Sequence, residues 1–114
     1  MRVLLKGAGC VELETTYSPE DIGRIIDQAL VYQCACPAQV ATTLLELRDL
    51  YDYQQKCEDT DDTNRHVHAL IAAATAEAHA RLERCLDEVL ELEGWDRATL
   101  TMPAALRKRP TKSL

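Results

Sequence analysis

The chain has 114 residues, of which 46% are hydrophobic and 28% charged, a composition typical of one folded domain rather than a disordered chain. The formal charge of −6 is unevenly placed, because residues 97–114 contain five basic and no acidic side chains and residues 1–96 therefore carry −11. An acidic body argues against nucleic-acid binding by the folded part, since phosphate contacts need cations. Only the basic tail remains as a candidate site for nucleic-acid binding.

The hydrophobic side chains are spread along the chain in short groups. No run of 18 or more apolar residues occurs, so no membrane-spanning helix is predicted. The five cysteines are odd in number and show no paired spacing. Reduced thiols suit the cytosol, so we predict a cytoplasmic protein.

The first 33 residues predict a hairpin followed by a helix. Residues 1–15 contain two short apolar runs around Gly7-Ala8-Gly9, a pattern that favours an extended β-hairpin. The glycines do not continue into a dinucleotide-binding fingerprint, because its third glycine is replaced by Glu12. Ser18, Pro19 and Asp21 form a helix-start pattern with a capping box, which predicts a helix over 19–33.

Two longer helices are predicted next, over 37–57 and 63–93. Pro37 opens the first of them, and the second runs without Gly or Pro until Gly94, with Asp62, Thr63 or Asn64 as its cap. Small or apolar residues recur along the second at steps of three and four, which predicts its buried face. These residues are Val67, Ile71, Ala74, Ala78, Leu82, Cys85, Val89 and Leu92.

The predicted fold class is mainly α, an antiparallel three-helix bundle with a short N-terminal extended or β-hairpin segment and a basic C-terminal tail. Residues 1–96 form the single helical domain, and residues 97–114 form the tail, with a possible short helix over 103–108.

The long helix is predicted to extend past its neighbours. Its last turns contain Leu86, Val89 and Leu90, which either the hairpin and Trp95 or a second copy must cover. We therefore predict a homodimer. The predicted partner-binding residues are Leu86, Val89, Leu90, Trp95, Arg107, Lys108 and Arg109.

Three cysteines are candidate metal ligands. Helix lengths bring Cys34, Cys36 and Cys85 to one end of the bundle and leave Cys57 at the other. A helix N-terminus favours the thiolate of Cys36, and two thiols one residue apart suit zinc or copper(I). The Cys36-Pro37 pair also resembles the short haem regulatory motif, in which Cys36 would bind iron. Buried cysteines that only pack are the alternative, so no cofactor is the first expectation.

The histidines and nearby acids form no metal motif. His66, His68 and His79 lack the spacing of three or four that a helical metal site needs, so we expect ordinary, partly exposed side chains. Glu83 and Asp87 lie near Cys85 and are either extra oxygen ligands or part of a solvated face.

The pattern contains no nucleophile elbow, phosphate loop or paired carboxylates, so we do not expect an enzyme. The predicted function is that of a small cytosolic interaction or regulatory protein that acts through its acidic helical body and basic tail. The alternative is a thiol-based metal-binding, haem-binding or redox-sensing protein that uses Cys34, Cys36 and Cys85.

Overall fold

The computed structural model describes residues 2–4, 12–30 and 35–104. In this part of the chain two strands, β1 (Arg2–Leu4) and β2 (Glu12–Glu14), precede three helices. The helices are α1 (Pro19–Ala29), α2 (Cys36–Lys56) and α3 (Asp62–Glu93). The predicted mainly helical fold class is confirmed.

The helix ends follow from local chemistry. The predicted capping box is present at α1, where the Ser18 hydroxyl accepts from the Asp21 amide and the Asp21 carboxylate accepts from the Ser18 amide. Asp61, rather than one of the three residues predicted, caps α3 by accepting a 2.7 Å hydrogen bond from the Asn64 amide. Gly94 ends α3 at φ 76°, a left-handed conformation that costs glycine little.

The three helices pack as an antiparallel bundle. The longest contact is between α2 and α3, α1 packs chiefly on α2, and β2 packs on α3. β1 and β2 pair antiparallel with Arg2 opposite Glu14 and Leu4 opposite Glu12. The hairpin is anchored on the helices through Leu13, which is buried with Tyr51, Ala72 and Ala76.

The segment after α3 turns back over the bundle. Trp95, Leu100 and Met102 are buried in the main core together with Leu86 and Leu90 and with the apolar face of α1. The turn is closed by backbone bonds between Asp96 and Thr101, and the Met102 amide donates to the Gln28 side chain at 3.2 Å. Residues 105–114 of the predicted basic tail, with most of the possible short helix over 103–108, lie outside the described residues.

Residues 95–102, which we call the return segment, cover the end of α3, where a second copy was expected to bind. Leu86 and Leu90 are fully buried within their own chain, so they are not available to a second copy. Trp95 acts as the predicted intramolecular anchor, at 5% exposure. Leu92, by contrast, is 86% exposed.

The buried face of α3 is not the one predicted. The structure buries a set of residues that we call the buried stripe: Ala72, Thr75, Ala76, His79, Glu83, Leu86 and Leu90. Most of these positions directly follow a predicted one, so the helix is rotated by about 100° from the expected orientation. The expectation that His79 is partly exposed is also wrong, because its side chain is fully buried.

Candidate functional site

The centre of the buried stripe is a charged clamp formed by Arg48, His79 and Glu83. α3 places His79 and Glu83 one turn apart on the same face, and α2 supplies Arg48. Both oxygens of Glu83 accept from the Thr16 amide, at 3.0 and 2.9 Å, and Oε2 also accepts from the Tyr17 amide at 3.1 Å. The Glu83 carboxylate, which is only 4% exposed, therefore holds the linker between β2 and α1.

Arg48 joins the three parts of the clamp. Its Nη2 donates to the Tyr17 carbonyl at 2.6 Å and to Glu83 Oε2 at 3.1 Å. Its Nε donates to His79 Nε2 at 2.9 Å. Burial lowers the pKa of Arg48, and the neighbouring Glu83 carboxylate opposes that shift. A guanidinium stays charged in proteins, so the clamp contains a buried ion pair.

Arg48 also sets the protonation of His79. A guanidinium can only donate, so Nε2 of His79 must accept and the neutral ring carries its proton on Nδ1. Nδ1 is buried, and Glu83 Oε1 lies 4.0 Å away. Burial lowers the pKa of His79 and Arg48 lowers it further, while Glu83 and a backbone interaction with Glu14 raise it. The neutral imidazole is therefore the native form.

A second polar group lies next to the clamp on the same side of α3. The Tyr17 hydroxyl donates to Asp87 at 3.0 Å and accepts from Arg97 at 2.7 Å, and Arg97 also pairs with Asp87. Burial and the bond to Asp87 raise the pKa of Tyr17 to about 12. The bond from Arg97 lowers the pKa of Asp87 and raises that of Arg97. The segment after α3 is thereby tied to the linker before α1.

The clamp and the polar group around Tyr17 both bind backbone atoms and neighbouring side chains, so their role is structural. The sequence interpretation offered Glu83 and Asp87 as metal ligands or solvated residues. Glu83 is instead buried and holds the linker, whereas Asp87 is 52% exposed and pairs with Tyr17 and Arg97. The signal for the clamp was present in the sequence as a histidine and a glutamate four residues apart in an alanine-rich helix, with Arg48 on the facing helix. Nothing in the sequence indicated that the backbone amides of Thr16 and Tyr17 would bind Glu83.

The predicted thiol site is described only in part. Cys36 opens α2 and is exposed, Cys85 is half-buried on α3, and Cys57 lies at the far end of α2. Cys34 lies outside the described residues. Over residues 12–30 and 35–104 no group of three or more His, Cys, Asp or Glu side chains is placed to hold a metal ion. The thiol site stays a prediction.

The predicted partner-binding residues fall into three groups. Leu86, Leu90 and Trp95 are buried in the core, and Val89 is half-buried. The tail residues Arg107, Lys108 and Arg109 lie outside the described residues. Of the set, Val89 alone combines an apolar side chain with a surface position in the described part of the chain.

The predicted apolar face of α3 instead lies beside the buried stripe, and we call it the outward stripe. Its members are Val67, Ile71, Ala74, Ala78, Leu82, Cys85, Val89 and Leu92. Val67 is 44% exposed, Ala74, Ala78 and Leu92 are exposed, and the others are half-buried. The outward stripe is thus an almost continuous apolar surface along α3.

No helix of the described chain is long and apolar enough to cross a membrane. Comparison with protein-family models, with curated proteins and with solved structures gave no match to this chain. The function is therefore inferred from the side chains at the surface of the protein.

Proposed function

We propose that the protein is a small cytoplasmic interaction protein that holds another protein through the outward stripe of α3. The observation that carries this proposal is a row of exposed and half-buried small or apolar side chains at helical spacing over about 33 Å of a single helix, from Val67 to Val89. Full burial of a large apolar side chain contributes roughly 1.5–3 kcal/mol. A partner that completes the burial of these side chains gains part of that free energy.

The clamp supports the same proposal. Arg48 hydrogen-bonds to His79, to Glu83 and to the linker backbone, which rigidifies the buried stripe beside the outward stripe. A rigid helix loses little conformational entropy when it binds. We therefore propose a binding role rather than catalysis for this chain.

The charge of the body suggests the chemistry of the partner. Residues 1–96 carry −11, and Glu77 and Glu88 are exposed on α3 near the outward stripe. An apolar helical surface with a basic residue at its edge opposite Glu77 would complement the outward stripe.

Matched arginine substitutions test the proposal. Ala78→Arg places a charge in the middle of the outward stripe, whereas Ala69→Arg places one at an exposed position nine residues away, half a turn around the same helix. The partner is captured from cells that make the protein, identified by mass spectrometry and then titrated in purified form. We expect Ala78→Arg to weaken binding at least about 10-fold, as 1.4 kcal/mol would, and Ala69→Arg to leave it unchanged. Equal binding by both variants would contradict the proposal.

A further inference from the structure

The outward stripe has a symmetric spacing. From Val67 to Val89 the steps along the chain are four, three, four, four, three and four, so the pattern reads the same in both directions from Ala78. An antiparallel helix that crosses at Ala78 would place apolar residues opposite apolar residues over these seven positions, and Leu92 would lie opposite Asn64. The facing pairs would be Val67 with Val89, Ile71 with Cys85, Ala74 with Leu82, and Ala78 with itself.

We propose that a second copy of this chain binds the outward stripe, with the two α3 helices antiparallel about a two-fold axis at Ala78. This inference rests on the proposed function, because both require the stripe to be a protein-binding surface. The symmetric pattern favours a copy over a different partner, since an isologous interface must be complementary to itself. The exposed alanines at the centre allow the two helices to approach closely.

Charges beside the stripe agree with this arrangement. Glu77 and Arg81 are both exposed and lie on the solvent edge of the stripe, on either side of the proposed axis. The two-fold axis brings Arg81 of each copy to within about 3 Å, along the helix axis, of Glu77 in the other, a gap these long side chains can span. A parallel arrangement would instead place Glu77 against Glu77 and Arg81 against Arg81.

The surface continues from α3 onto α2. In an antiparallel helix pair, the positions directly before the buried contact residues lie on the same side of the pair on both helices. Leu50 and Tyr53 precede the buried residues Tyr51 and Gln54, and they are 41% and 66% exposed. They therefore lie on the same side of the bundle as the outward stripe.

The size of this surface suits a stable dimer. A strip about 33 Å long and about 20 Å wide, the width of two helices, covers on the order of 700 Å² in each copy. Interfaces of standard size bury about 800 Å² per partner. β2 and the linker pack on the buried stripe instead.

Cross-linking tests the orientation directly. The variant Ile71→Cys places a thiol opposite the natural Cys85 of the second copy, and mild oxidation joins the two thiols with loss of two hydrogen atoms to the oxidant. Residues 71 and 85 of one helix are about 21 Å apart along the axis, so their disulfide can form only between copies. We expect a covalent dimer with a 71–85 link in peptide maps. A 71–71 link, or no 71–85 link, would overturn the antiparallel arrangement, and Ala69→Cys is the matched control.

Sedimentation of the full chain tests the dimer itself between about 1 and 200 µM, a range that spans typical dimer affinities. We expect a dimer for the natural chain and for Ala69→Arg, and a monomer with unchanged circular dichroism for Ala78→Arg. Arg81→Glu and Glu77→Arg should each weaken the dimer by about 3- to 30-fold, and the double exchange should restore it. A natural chain that is monomeric throughout, or a dimer that survives Ala78→Arg, would overturn the inference.

The outcomes separate this inference from the proposed function. If the chain is monomeric and a purified heterologous partner still binds Ala78→Arg more weakly than Ala69→Arg, the dimer is rejected and the proposed binding surface is retained. If neither assay distinguishes the two variants, both proposals are rejected.

Discussion

The two neighbouring stripes of α3 differ in burial, and the difference is the opposite of what hydropathy alone predicts. The buried stripe includes His79 and Glu83, while the outward stripe consists of small and apolar side chains that are exposed or half-buried. Polar groups can be buried when all their hydrogen bonds are made, and the Glu83 carboxylate has the Thr16 and Tyr17 amides and Arg48 as partners. The burial of a face is thus decided by what lies opposite it.

The comparison also supports the proposal that the outward stripe is a binding surface. The bundle has used α2, the hairpin, α1 and the return segment to cover one side of α3. On the neighbouring outward stripe Leu82 packs against the main core, whereas Val67, Ala74, Ala78 and Leu92 are exposed, so part of its apolar area lies at the surface of the described chain. The clamp and the outward stripe are therefore two consequences of one helix orientation.

Breaking the clamp should have one of the two largest effects. Glu83→Gln removes the charge that pairs with the buried Arg48 and replaces one accepting oxygen by a donor, so we expect the free energy of unfolding to fall by about 3 kcal/mol. Urea unfolding measures it. Glu88→Gln, an exposed glutamate on the same helix, should change stability by less than about 0.5 kcal/mol. Similar losses for both variants would show that Glu83 is not a structural anchor.

Two leucines from the end of α3 compare the stripes directly. Leu86 is fully buried and Leu92 is 86% exposed. Leu86→Ala should lower the free energy of unfolding by about 2–5 kcal/mol because it leaves a cavity in the core. Leu92→Ala should change it by less than about 0.5 kcal/mol. Thermal unfolding of both variants at one low concentration measures the difference, and a larger loss at Leu92 would reverse the assignment of the two faces.

Acid should weaken the clamp through His79. Its pKa is lowered in the folded protein from 6.5, so the unfolded chain binds the proton more readily. Stability is then complete above pH 6.5 and declines as pH falls toward the folded pKa, by at most about 1.4 kcal/mol per pH unit. Urea midpoints between pH 7 and 5 measure this slope.

His79→Gln keeps an oxygen that can accept a hydrogen bond from Arg48. It should remove the contribution of one titrating group to the slope of unfolding free energy against pH. His68→Gln, which changes a histidine near the start of α3 paired with Asp59, is the control for histidines outside the clamp. A slope that is the same with and without His79 would count against its burial as a neutral ring.

The smallest effect should come from Tyr17. Tyr17→Phe removes the hydroxyl that bridges Asp87 and Arg97, and we expect a loss of about 1 kcal/mol. The raised pKa has a separate signature. Stability from the protonated phenol is complete below pH 10 and is lost as pH rises toward about 12.

An ultraviolet titration of the tyrosines checks this pKa, because Tyr17→Phe should remove the most alkaline step of the curve. Removal of an earlier step instead would show that Tyr17 is not held by the Asp87 pair.

Local patterns in the sequence were sufficient for the helices and several of their ends. Ser18 and Asp21 specify the start of α1, and Gly94 specifies the end of α3, because caps depend on residues within one turn. The antiparallel order also follows from helix lengths and short connections. The Asp61 cap was missed by one residue, since several neighbouring acids and hydroxyls offered similar chemistry.

The orientation of α3, and with it the clamp and the position of the outward stripe, depended on tertiary contacts. The apolar spacing from Val67 to Leu92 marked a continuous face, and it could not reveal that this face is turned away from the core. Arg48 and the Thr16 amide are far from Glu83 in the chain and near it only after folding. Periodicity is set by the geometry of one helix, whereas the free energy of burying a charge depends on groups that other elements bring to it.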